Sequence, residues 1–126
     1  MRAAQARVSQ GDTNQALRIA HLIAHLASDG NEAMTNRAFD LEAVGELVAR
    51  FGDKEEALRY FEGAVRYARE SQDSDIDGAK CLAGLAVTLA KHGHIDRARE
   101  VANGVTQLGR RKWALDKIEE ISLGMS

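Results

Sequence analysis

Residues 41–64 read Leu41-Glu42-Ala43-Val44-Gly45-Glu46-Leu47-Val48-Ala49-Arg50-Phe51-Gly52-Asp53-Lys54-Glu55-Glu56-Ala57-Leu58-Arg59-Tyr60-Phe61-Glu62-Gly63-Ala64. Apolar residues recur in steps of three and four on either side of Gly52-Asp53, which is the spacing of a helix face and not the alternation of a strand. Glycine suits a helix C-terminus, where a left-handed residue without a Cβ carries no steric penalty. Aspartate suits the N-cap of the helix that follows. The stretch predicts two helices joined by a very short turn, with Gly52 left-handed and Asp53 as the cap.

The same punctuation recurs along the chain. Gly11-Asp12, Gly52-Asp53 and Gly93-His94 stand at intervals of 41 residues. Ala16, Ala57 and Ala98 follow these glycines in matching positions, then Ala20, Phe61 and Ala102, then Ile23, Ala64 and Val105. Upstream, Leu41, Val44, Val48 and Ala49 match Leu82, Leu85, Leu89 and Ala90. Agreement at this many positions marks an internal repeat. It predicts helices at 2–10, 13–28, 33–51, 54–71, 76–92, 95–109 and 111–123. His94 is a poorer cap than Asp12 or Asp53, with Asp96 near enough to help. The polar links Ser28-Asp29-Gly30-Asn31 and Ser71-Gln72-Asp73-Ser74-Asp75 are too short to separate domains. A single domain over 1–126 follows, with units at about 1–32, 33–74 and 75–110 and a terminal helix at 111–123.

Composition agrees with that reading. The 126 residues carry 17 Lys+Arg against 19 Asp+Glu, a net charge of −2, which lacks the electrostatic footprint of generic nucleic-acid binding. Hydrophobic residues at 44% and charged residues at 29% suit an ordinary globular core. No apolar run approaches the roughly 18–20 residues of a membrane span, and the N-terminus shows no apolar signal core, so a cytoplasmic setting is expected. Cys81 is the single cysteine, which precludes an internal disulfide and fits a reducing compartment. Proline is absent and alanine occurs 21 times, a profile of closely packed helices.

At these residues the chain resembles the tetratricopeptide repeat (TPR) family. Leu41, Val44, Gly45, Val48 and Gly52, then Ala57, Phe61 and Ala64, follow the family's order of large and small positions. The third unit is similar through Leu82, Leu85, Ala86, Leu89, Gly93 and Ala98, with Ala102 in place of the aromatic. The first matches from Ala3-Ala4 through Gly11, Ala16 and Ala20, but lacks the opening turn of its first helix. Two departures stand out. The family period is about 34 residues, and Arg69 stands where proline often closes the second helix. Without that stop the helix continues, by about two turns for the added length. Longer repeats of this kind are similar to those of kinesin light chains and of peptide-sensing bacterial regulators.

The resemblance implies an all-α, right-handed solenoid of three helical hairpins plus a C-terminal helix, whose first helices line a concave surface. Helical phase places Phe39, Glu42, Ala43, Glu46, Ala49 and Arg50 on that surface, then Lys80, Ala83, Gly84, Val87, Ala90 and Lys91, then Trp113, Asp116, Lys117 and Glu120. The partner-binding residues expected are Phe39, Glu42, Glu46, Arg50, Lys80, Ala83, Val87, Lys91 and Trp113, with the alanine strip as an open apolar groove. Relatives that grip the C-terminal carboxylate of chaperones resemble one another in a Lys/Asn clamp. Glu42, Glu46, Ala83 and Val87 hold those positions here, and two of them would repel a carboxylate. The function implied is a non-catalytic scaffold or adaptor for a peptide or amphipathic helix. The alternative is a sensory or regulatory module excerpted from a larger protein. No cofactor, nucleic acid or membrane is expected as a partner. Copies of the chain are expected to associate through the repeat ends.

Other chemistry is thin. His21 and His25 share a helix face at a spacing that a metal could bridge, but no third ligand is evident, and no metal site is expected. Cys81 has no base beside it and reads as buried filler. His92 and His94 read as exposed turn residues, and Arg110-Arg111-Lys112 as solvation of a helix end. Glu55 with Arg59 and Glu62 with Arg66 read as surface pairs.

Overall fold

A helix whose apolar stripe must be buried needs a partner, and a two-residue link lets the next helix supply it. The computed structural model describes residues 34–73 and 76–124, together with 15, 17–19 and 21–23. Among the described residues five helices have both ends defined: α1 (Met34–Phe51), α2 (Lys54–Ser71), α3 (Ile76–Lys91), α4 (Ile95–Asn103) and α5 (Leu108–Gly124). Residues 17–19 and 21–23 are also helical, and Leu17 packs against the core. There is no strand among the described residues, and no helix among them is long and apolar enough to cross a membrane. The helix expected at 2–10, its Gly11-Asp12 turn and the Ser28–Asn31 link lie outside the described residues.

Local chemistry accounts for the turns. Asp53 is extended, and its carboxylate accepts the Glu55 N–H at 2.8 Å, capping α2 as its residue type predicts. The expectation that Gly52 is left-handed is corrected. Its N–H donates to Val48 O at 2.7 Å, continuing the last turn of α1, and extended Asp53 then redirects the chain. Among the described residues the left-handed glycine is Gly93, at φ 91°. There the His94 N–H reaches Leu89 O at 2.9 Å and the Gly93 N–H reaches Ala90 O at 3.0 Å, the paired bonds of a Schellman end. His94 opens α4 with no side-chain capping bond.

Close approach then sets the pairing of helices. A Cβ at Gly45 would lie 2.6 Å from Cε1 of Phe61, so the ring of α2 fills the space that a side chain on α1 would take. Farther along, Thr35 Oγ1 donates to Ser71 Oγ at 3.0 Å, and Ser71 donates to Ala68 O at 3.2 Å. Residue 45 meets 61 and residue 35 meets 71, so α1 and α2 are antiparallel. Thr88 Oγ1 donates to Glu42 at 2.9 Å, and His92 lies 3.9 Å from Glu46. These pairs ascend together, so α1 and α3 are parallel. At Gly78 a Cβ would fall 2.5 Å from Gln72 N, which brings the start of α3 hard against the end of α2.

Helix α3 touches all four of the others. Leu82, Leu85 and Leu89 on it are fully buried, as are Phe61 and Ile118. It is apolar nearly all round, and such a helix belongs at the centre. The helix expected at 95–109 is shorter than the spacing suggested, ending at Asn103, and the last helix starts earlier, at Leu108. Gly104 and Val105 turn on three-residue bonds to Val101 O and Ala102 O, and Val105 is buried. Gln72 holds the turn from outside: its amide donates to Gly104 O at 3.0 Å and accepts the Thr106 N–H at 3.2 Å. Arg111 Nε donates to Val105 O at 2.8 Å, so this member of the basic cluster ties the start of α5 to the turn that follows α4. Glu62 accepts Arg97 Nε at 2.9 Å, tying α2 to α4 in place of the in-helix pair expected with Arg66.

Truncating Phe61 to alanine removes a ring that three helices enclose and is expected to cost about 3–5 kcal/mol. The same change at half-exposed Phe39 should cost under about 1 kcal/mol. Urea denaturation of the two variants beside the parent measures both.

Candidate functional site

Phe39 projects from α1 and Trp113 from α5, at 44% and 47% exposure, although apolar rings of this size gain from burial. Between them lies a cleft of about 440 Å³, lined also by Glu42, Lys80, Cys81, Gly84, Gly109 and Arg110. Its lining is mostly apolar, with a cation on α3 and another on α5. Gly84 and Gly109 have nothing within 4 Å of where a Cβ would stand. The floor is open because two residues lack side chains.

The structure distributes the expected partner-binding residues unevenly. Phe39, Glu42, Lys80 and Trp113 share this cleft. Glu46 and Arg50 line a separate shallow hollow with His92, and Lys91 borders a third beside His94. Ala83 and Val87 are 1% and 7% exposed, and Ala90 is fully buried, so the expected open alanine strip is corrected. The strip is enclosed because α3 is packed on by every other described helix. Gly109 and Arg110 were not among the expected residues, because the last helix was expected to begin only at residue 111. A helix starting at Leu108 carries both into the cleft wall.

Electrostatics separates the acidic groups. Burial pushes the Glu42 carboxyl above its ordinary 4.5, reinforced by the charge of Glu46 and opposed by the Thr88 hydrogen bond and by Lys91. Burial also pushes the Cys81 thiol up to about 12, with Glu42 adding to the effect. Cys81 is thus protonated at neutral pH and matches the buried filler expected of it. His92 is no exposed turn residue: it is half-buried and its ring stacks on Phe61 at 5.0 Å between centroids. His21 Nδ1 lies 2.7 Å from the Tyr60 hydroxyl and its Nε2 3.4 Å from Glu56, while His25 lies outside the described residues. Among the described residues no group of three metal-ligating side chains forms.

Comparison with protein-family models, with curated proteins and with solved structures finds no match.

Two outcomes test this geometry. Val87→Glu would bury an unpaired carboxylate and should cost more than about 3 kcal/mol, seen as a lowered urea midpoint. Glu42 holds its proton more tightly folded than unfolded, so its contribution is full below about pH 4.5 and is lost as pH rises through the raised value. Glu42→Gln removes that loss. Its unfolding free energy relative to the parent should therefore rise between about pH 4 and about pH 7.

Proposed function

We propose that this chain is a non-catalytic protein-interaction module, a TPR-like right-handed stack of helix pairs acting as a cytoplasmic scaffold or adaptor. It takes a peptide or amphipathic helix in the cleft between α1, α3 and α5. The parallel course of α1 and α3, with α2 antiparallel to α1, supports the stacked-hairpin reading. The 41-residue repeat supports it from the sequence side.

The observation that carries the binding reading is Gly84. Glycine in a helix interior costs about 0.8–1.0 kcal/mol relative to alanine, and no neighbour here claims the space. What the missing side chain provides is room, in a cleft walled by two half-exposed aromatic rings. Aromatic side chains so placed are the usual anchors of protein interfaces. Lys80 and Arg110 add polar contacts at the edge. The anchor set thus differs from the strip first expected: the groove lies beside Gly84, not over Ala83 and Val87.

Trp113 is the only tryptophan, so its emission reports on the cleft directly. Peptides selected from a random library against the intact chain should shift that emission. Gly84→Met fills the floor and should abolish the binding without lowering the melting midpoint. Phe39→Ala should weaken it by about tenfold or more, and Glu55→Lys on exposed α2 should leave it unchanged. Selected peptides that bind Gly84→Met as well as the parent would overturn the assignment.

A further inference from the structure

A second hollow, of about 330 Å³, opens where the α1–α2 turn meets the α3–α4 turn. Its apolar base is Ala49, Ala57 and Phe61, and around it stand Lys54, Lys91, His92 and His94. Lys54 is the first residue of α2 and Lys91 the last of α3, while the histidines flank Gly93. Four nitrogen-bearing side chains, one from the start of α2 and three from the Lys91–His94 stretch, therefore border one small space.

Of the neighbouring carboxylates, Glu46 reaches the cluster and the others are turned away from it. Asp53 is turned to the Glu55 N–H, Glu56 lies beside His21, and Glu46 approaches His92 from α1 at 3.9 Å. Lys91 also acts on Glu42 through its charge. Among the described residues neither lysine lies within 4.0 Å of a carboxylate. Two lysine cations brought to one hollow without a direct carboxylate partner repel one another, and an anion between them relieves that repulsion.

We propose that this hollow binds a small organic phosphate, its oxygens accepting from Lys54, Lys91 and the His92 and His94 imidazoles while its apolar part rests on Ala49 and Ala57. A phosphate monoester offers three acceptor oxygens and close to two negative charges, which suits donors converging from several directions. A carboxylate offers a single plane and one charge. The hollow is separate from the Phe39–Trp113 cleft, and the assignment stands independently of what that cleft holds.

Phenyl phosphate is the probe, titrated into the intact chain at near-neutral pH and low salt while amide and imidazole resonances are followed by NMR. Saturable shifts centred on Lys54, Gly93, His92 and His94 are expected, with a dissociation constant below about 1 mM. Both lysines are exposed, so Lys54→Gln combined with Lys91→Gln should fold normally and bind about tenfold or more weakly. Benzoate should bind more weakly than phenyl phosphate. Absence of saturation, shifts spread over all basic surfaces, or a double variant that binds like the parent would overturn the site. Benzoate binding as tightly would overturn its assignment to phosphate.

Discussion

The ring of Phe61 occupies the space that Gly45 leaves empty, and much of the described structure depends on that contact. A Cβ at Gly45 would stand 2.6 Å from the ring, so α1 and α2 approach as closely as they do only because one position has no side chain. The same ring also meets His92, just past the end of α3, at 5.0 Å between centroids. One aromatic residue thus sets the distance between the first two helices and packs against the residue that follows the third. Interiors are packed to crystal-like density, so an error of a methyl group at this junction would propagate along both helices.

Helix α3 plays the complementary part. Its sides are alanine, leucine, valine and cysteine with few interruptions, and it contacts every other described helix. Where it does surface, it does so through Asp77, Lys80, Gly84 and Lys91, and the last three border hollows. The central helix therefore positions both candidate sites, the aromatic cleft near its start and the basic hollow at its end. Polar ties between elements include Thr88 to Glu42, Thr35 to Ser71, Gln72 to the 104–106 turn, Arg97 to Glu62 and Arg99 to Glu119. Gln72 in this way satisfies backbone groups of the 104–106 turn.

The basic hollow and the aromatic cleft differ in the physics of recognition. Around the first, two lysines without a direct carboxylate partner stand with two imidazoles over a small apolar base, an arrangement that favours a compact anion. Around the second, apolar surface dominates and two rings stay half exposed, an arrangement that favours a larger apolar partner. Glu46 and His92 line a separate shallow hollow, while Glu42 on the same helix belongs to the cleft.

The sequence by itself determined the helices, because apolar steps of three and four and the residues at their ends are local properties. Asp53 as a cap, Gly45 as a close-approach residue, Phe61 in the core and Cys81 as filler were all legible from spacing and residue type. The candidate site was legible in part: Phe39, Glu42, Lys80 and Trp113 lie together in one cleft. What only the tertiary structure decided was which faces remained open. Ala83 and Val87 fall on the helical phase of a groove, yet four helices close over α3, since a helix apolar on every side loses least by being surrounded. The end of α4 was equally out of reach, because it depends on an amide from Gln72, 32 residues away from the Gly104 carbonyl it holds. Left-handed geometry went to Gly93 and not Gly52 because the longer link, His92-Gly93-His94, closes its helix with bonds that need a residue without a Cβ, whereas extended Asp53 turns the shorter one. Periodicity along one helix specifies its faces; only the positions of the other helices specify which of those faces meets water.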